Sequence, residues 1–179
     1  MKKTFLALFA ILMLSAMNAQ TGLGVKGGLL LGMSKAKTPS MNIEGINLGG
    51  GEYSDTNTGF YVGVFKGFPV GDGIEIEPGV NAVIDDGEFG IQIPIMAKYY
   101  VAQGLNLQAG PQLLFGFEES PDDFTNLNLG LALGVGYDIN ENFLAEIRYG
   151  LQLNNHYTGD LDDFSLKNNT LNLGVGYKF

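Results

Sequence analysis

The sequence contains no cysteine, which removes both a disulfide framework and any thiolate metal centre. It has one histidine, His156, so a typical zinc site and an imidazole-based catalytic group lack their usual companions. Basic residues are scarce, with 10 Lys and Arg against 19 Asp and Glu. Such a balance excludes nucleic acid as a partner, because phosphate backbones demand a cationic surface. Proline is low and apolar residues reach 45%, so disorder does not explain the chain. An apolar run over residues 5–14 is about half of the roughly 20 residues that a membrane helix needs.

That short run has a different use. Met1, Lys2 and Lys3 precede it, and Ser15, Ala16 and Ala19 follow it before Gln20. A charged start, an apolar stretch and small residues predict a cleaved secretory signal peptide over residues 1–19, leaving one domain over residues 20–179. Loss of Lys2 and Lys3 leaves 8 basic against 19 acidic residues, a formal charge of −11.

Glycine is abundant, 27 of 179, without a collagen-like period. Its role emerges when the chain is read with a period of two. Over residues 127–137 the odd positions are Leu127, Leu129, Leu131, Leu133, Val135 and Tyr137, and the even ones are Asn128, Gly130, Ala132, Gly134 and Gly136. One face is apolar and the other small or polar, the pattern of a half-buried strand. Similar alternation recurs over residues 74–85, 89–99, 105–117, 143–153 and 171–179, and less cleanly over 22–33 and 60–68. Eight strands of about 10 to 12 residues follow, long enough to cross a bilayer when tilted.

Tight turns are expected at residues 70–73, 101–104 and 138–142, and polar loops at 34–59, 118–125 and 154–168, with a short one near Asp85, Asp86 and Gly87. Three turns on one rim and four loops on the other predict an eight-stranded antiparallel up-and-down transmembrane β-barrel with both termini at the turn side. A soluble sandwich or lipocalin-like barrel would also alternate, but it places charge outside and bulky apolar residues inside. Here the non-apolar face is mostly glycine, asparagine and glutamine, which suit a narrow lumen. Tyr99, Tyr100, Tyr137, Tyr149, Tyr177 and Phe179 gather near strand ends like an interfacial girdle.

Several segments carry a family likeness: residues 24–29 (GVKGGL), 92–100 (QIPIMAKYY), 104–112 with its Ala-Gly-Pro-Gln, and the ending 172–179. In their order and spacing they resemble the porin-like, PorT-type outer-membrane β-barrel proteins of Bacteroidetes. That resemblance implies an outer-membrane location and, for PorT itself, a role in protein secretion. The ending Gly176-Tyr177-Lys178-Phe179 also looks like the signal read by the barrel-assembly machinery.

Strand direction places Lys26, Lys66, Glu75, Glu77, Lys98, Glu146, Arg148 and Lys178 in the periplasmic half of the lumen. Charges in so narrow a tube must be paired, so they are expected to form an ionic plug, the alternative being a wet cavity without gating. Above them lie Asn81, Gln92, Gln108, Gln112, Asn128 and Gln152, a neutral polar filling. The outer loops are acidic: Glu44, Glu52, Asp55, Asp85, Asp86, Glu88, Glu118, Glu119, Asp122, Asp123, Asp160, Asp162 and Asp163. Divalent cations bridging them to lipopolysaccharide would suit hard oxygen ligands, though plain solvation of an extracellular rim also accounts for them.

Gly22-x-Gly24-x-x-Gly27 matches a dinucleotide fingerprint but opens no helix, and His156 falls in a loop. No nucleophile, base and oxyanion donor are grouped, so neither catalysis nor a cofactor is expected. The expected protein is a non-enzymatic barrel serving as a surface, envelope or secretion-accessory component. Its expected partners are outer-membrane lipid and lipopolysaccharide, the assembly machinery through the last strand, and a secretion or surface protein. Passage or binding of small solutes through the lumen is the alternative.

Overall fold

A computed structural model describes residues 22–38, 41–43, 46–48, 50–118, 123–159 and 164–179. The expected signal peptide and the loop acids Glu44, Glu119, Asp122, Asp160, Asp162 and Asp163 lie outside these residues. The strands are β1 (Leu23–Thr38), β2 (Met41–Ile43), β3 (Ile46–Leu48), β4 (Gly51–Lys66), β5 (Phe68–Gly71), β6 (Ile74–Asp85), β7 (Glu88–Tyr100), β8 (Leu105–Gly116), β9 (Leu127–Asp138), β10 (Phe143–Gln152) and β11 (Ser165–Lys178). No helix forms among the described residues.

One sheet runs β4-β1-β11-β10-β9-β8-β7-β6-β5, and a further β4–β6 pairing closes it. β4 and β5 are two parts of one stave, because β6 pairs with both in a single continuing register, from Gly59 opposite Asp85 to Pro69 opposite Glu75. The result is a closed antiparallel barrel of eight staves, with no free edge within the span where all eight are paired. Its turns join β5 to β6, β7 to β8 and β9 to β10. Gly67 and Phe179 bond to Gly22 and Leu23 at the same rim, so both described ends meet there.

Side-chain burial is inverted relative to a water-soluble barrel. Lys26, Glu77, Asn81, Gln92, Lys98, Glu146 and Arg148 are buried, whereas Phe60, Ile95, Leu107, Leu133, Ile147 and Val175 are exposed. Outward residues meet in cross-strand pairs: Leu29 lies opposite both Leu173 and Phe60, and Ile147 opposite both Leu173 and Val135. In water each such side chain would forgo about 1.5–3 kcal/mol of burial, whereas in lipid that burial is recovered around the whole circumference. Aromatic clusters mark both edges of the belt. At the turn side Tyr177 meets both Phe143 and Phe179 edge-on, and at the loop side Phe117 stacks on Phe89 and meets Phe115 edge-on.

Two expectations require correction. Tyr100 is not part of the outer girdle; it turns inward and donates a hydrogen bond to Asp138 at 3.0 Å. Residues 34–59 are not simply a loop: β1 continues to Thr38 and β4 begins at Gly51, with the β2–β3 hairpin between them. Hydrophobic alternation stops where lipid stops, whereas backbone pairing does not, so Lys35, Lys37, Glu52 and Ser54 extend the sheet without extending the pattern. By contrast, the β6–β7 connection is as tight as expected. Asp86 and Gly87 both have positive φ, 47° and 87°, the backbone of a two-residue hairpin whose twist matches its strands.

Candidate functional site: the lumen

Because inward and outward positions alternate, β6 sends Glu75 and Glu77 into the barrel, β7 sends Lys98, β10 sends Glu146 and Arg148, and β1 sends Lys26. Glu77 is their hub. One of its oxygens accepts from Lys26 Nζ at 2.7 Å and the other from Lys98 Nζ. Lys26 also lies 3.4 Å from Glu146, which is paired with Arg148, while Glu75 stands 3.8 Å from Lys98. Three cations therefore face three carboxylates, and neutrality lets the cluster occupy a site from which water is excluded. The side chains of Glu77 and Lys98 are each only 1% exposed.

Two aromatic side chains from β4 complete this tier. The Phe65 ring lies beneath Lys26 and Lys98, with its centroid 4.7 and 5.7 Å from their Nζ atoms, a cation–π arrangement. The Tyr61 hydroxyl donates to Glu146 at 3.5 Å. Neither residue stands out in the sequence, because this strand carries aromatics on both faces.

Lys66 and Lys178 are not in the cluster. In β4 the odd positions Tyr61, Gly63 and Phe65 point inward, so Lys66 points outward, its Nζ 5.3 Å from the Phe68 ring. Lys178 sits at the rim and pairs with Asp138 at 2.7 Å, apart from the Glu146–Arg148 pair. Their departure removes the excess of cations that all eight residues together would have had.

Above the ions lies a tier of amides. Asn81 donates to Gln92 at 3.0 Å; Asn172 donates to Gln92 Oε1 at 3.2 Å, and Gln92 donates back to Asn172 Oδ1 at 3.5 Å. β7 and β11 are on opposite walls in the strand order, so the Gln92–Asn172 exchange spans the lumen. Gln112 adds a bond to Thr170 at 3.2 Å. Asn172→Leu should therefore cost about 1–3 kcal/mol by leaving Gln92 short of partners. Urea titration of the protein folded into vesicles, followed by circular dichroism, measures that loss.

Toward the loop side the lumen opens into a recess of about 300 Å³, lined in part by Asp85, Glu88, Asn128, His156 and Asn168. The His156 Nδ1 lies 2.6 Å from the Thr125 carbonyl oxygen, which ties the imidazole to a loop backbone. The glycines of the fingerprint-like segment fall at the start of β1 and on its strand backbone.

Comparison with known structures agrees with this architecture. A de novo designed transmembrane β-barrel superposes with a TM-score of 0.50 at 11% identity, covering 90% of this chain and 98% of the design. OprG from Pseudomonas aeruginosa gives 0.43 at 18% identity, covering 89% and 96%, and Neisserial surface protein A gives 0.45 at 17%, covering 89% and 98%. At 11% identity the likeness to the designed barrel concerns the fold alone. No curated protein sequence matches the chain. The profile of a family described as "Outer membrane protein beta-barrel domain" matches residues 4–179, nearly the whole length. With its lipid-facing belt, its closed sheet and that match, the chain belongs to the outer membrane protein β-barrel domain family and resides in the outer membrane.

Proposed function

We propose that the protein is a non-enzymatic barrel with a closed lumen, acting through its outer surface as an envelope or secretion-accessory component. The observation that carries this reading is the pair of tiers across the lumen: the Lys26–Glu77–Lys98 cluster and, above it, the Gln92–Asn172 bridge. An ion moving through would have to break neutral, hydrogen-bonded groups in both tiers without bulk water to replace them.

The secretion-accessory role, and kinship with the PorT-type proteins of Bacteroidetes, rest on the resemblance of residues 24–29, 92–100, 104–112 and 172–179. A stable protein partner and a secretion defect on deletion are its expected signs. β11 is the strand offered to the assembly machinery, and it pairs with β1 to complete the barrel. Acids at the loop rim, including Asp85, Asp86, Glu88 and Glu118, keep that rim solvated, and among the described residues no three acids are grouped as metal ligands.

Swelling of proteoliposomes in isotonic sugar solutions tests the closed lumen against small-solute passage. Vesicles containing the barrel are expected to swell no faster than empty ones. Swelling that falls off with increasing sugar size would replace this reading with porin-like transport.

A further inference from the structure

The outward face is apolar only as far as the belt. Along β1 it runs Leu29, Leu31, Met33 and then Lys35 and Lys37; along β11, Leu173 and Leu171 give way to Asn169, Lys167 and Ser165. Lys35 lies directly opposite Lys167, and Lys37 opposite Ser165. On the other side of β1, Ser54 of β4 faces Lys35 and Glu52 faces Lys37. Lys35, Lys37, Glu52, Ser165, Lys167 and Asn169 line a shallow recess of about 270 Å³.

We propose that this recess, where Lys35, Lys37 and Lys167 stand just above the lipid-facing belt, binds phosphate groups of lipopolysaccharide in the outer leaflet. Three of the chain's ten basic side chains meet here, although acids outnumber bases nearly two to one. No ion pair joins any of the three to another described residue, and Glu52 is the one acid lining the recess. Like charges directly opposite on neighbouring strands repel, so the Lys35–Lys167 pair destabilises the bare sheet. An anion placed between them converts that repulsion into attraction.

Height favours a lipid headgroup over a soluble anion. Strands rise about 3.3 Å per residue and tilt by about 40°. Lys35 and Lys37 therefore follow Met33 by roughly 5 and 10 Å along the membrane normal, the depth at which acyl chains give way to headgroups. A lipid there would lay its chains on Leu29, Leu31 and Leu171 and its phosphate on the lysines, which bind phosphate as flexible point charges. Ser165, Asn169 and Ser54 add neutral donors for phosphate or sugar oxygens. Such a contact needs no divalent cation, unlike one made through the acidic rim.

Native mass spectrometry of the detergent-solubilised full-length barrel tests this directly, with diphosphoryl lipid A, the same lipid stripped of phosphate, and phosphatidylglycerol as probes. The unmodified protein should retain diphosphoryl lipid A at least tenfold better than the other two, and chelation by EDTA should leave that retention intact. Combined Lys35→Gln, Lys37→Gln and Lys167→Gln substitution should weaken retention at least tenfold, given the attraction each lysine has for an anionic surface. Lys66→Gln, a change at the opposite rim, should not weaken it. Equal retention of the dephosphorylated lipid, equal retention by the triple variant, or loss on chelation would each overturn the proposal. Phosphatidylglycerol bound as tightly as lipid A would overturn the assignment to lipopolysaccharide in favour of a general anionic surface. The comparison among lipids uses the unmodified protein, so it stands even if the triple variant fails to fold.

Discussion

Glu77→Gln is expected to destabilise the folded barrel by about 3 kcal/mol, near the lower end of what breaking a buried ion pair costs. The glutamine keeps the shape of the side chain but removes the charge that holds both Lys26 and Lys98. Those ammonium groups are left with Glu146 at 3.4 Å and Glu75 at 3.8 Å, which is why the effect stays below the upper end. Charge balance should then decide the response to a second change. Adding Lys26→Met leaves Lys98 and Arg148 facing Glu75 and Glu146, and part of the lost stability should return. The cycle is measured by urea unfolding from vesicles, with Lys66→Met as a control expected to stay within about 0.5 kcal/mol of the unmodified protein. A double variant no more stable than Glu77→Gln alone would show that packing, not neutrality, governs the cluster.

Gly174→Val should have an effect of similar size by a different route. Gly174 is on the lumen side of β11, and a Cβ there would run into the Tyr61 hydroxyl. Tyr61 is itself almost fully buried, so its ring has nowhere to move without disturbing Leu30 and Val83. Forcing extra methyl groups into such a site costs about 1–3 kcal/mol, and the Tyr61–Glu146 contact is lost as well. The folded, heat-modifiable band on a gel should fall sharply relative to the unfolded one. Tyr61→Ala in the same chain should restore much of it, since the ring is the obstacle. No restoration would assign the defect to pairing of β11 with β1.

The same principle accounts for much of the glycine content. Gly134 lies under the Arg148 side chain and Gly150 under Gln112 and Thr170. A narrow barrel can hold long polar side chains only where neighbouring strands present bare backbone. Glycine in these strands thus provides space within the lumen, and its distribution follows the large residues beside it.

Such pairings explain what was and was not legible in the sequence. Alternation over residues 74–85 and 127–137 identified the strands because every outward residue there answers to lipid. The inward placement of Lys26, Glu77, Lys98, Glu146 and Arg148 follows from the same parity. Lys66 is misplaced by sequence because Tyr61 and Phe65 make the inward face of β4 as aromatic as the outward face that carries Phe60, which blurs the parity. Lys178 reaches Asp138, a rim residue that had looked like part of a turn. Gln92 and Asn172, 80 residues apart, become neighbours only when the sheet closes, and no local pattern encodes that contact. The strand extensions above the belt were hidden for a simpler reason: outside lipid, polar strands and polar loops have the same composition.

Single-channel recording in a planar bilayer tests the closed lumen most directly, comparing the refolded barrel with a variant carrying Glu75→Gln and Glu77→Gln. The unmodified protein should remain silent under applied voltage, and the variant, with Lys26 and Lys98 stripped of two carboxylates, should show intermittent openings. Steady conductance from the unmodified barrel would contradict the account.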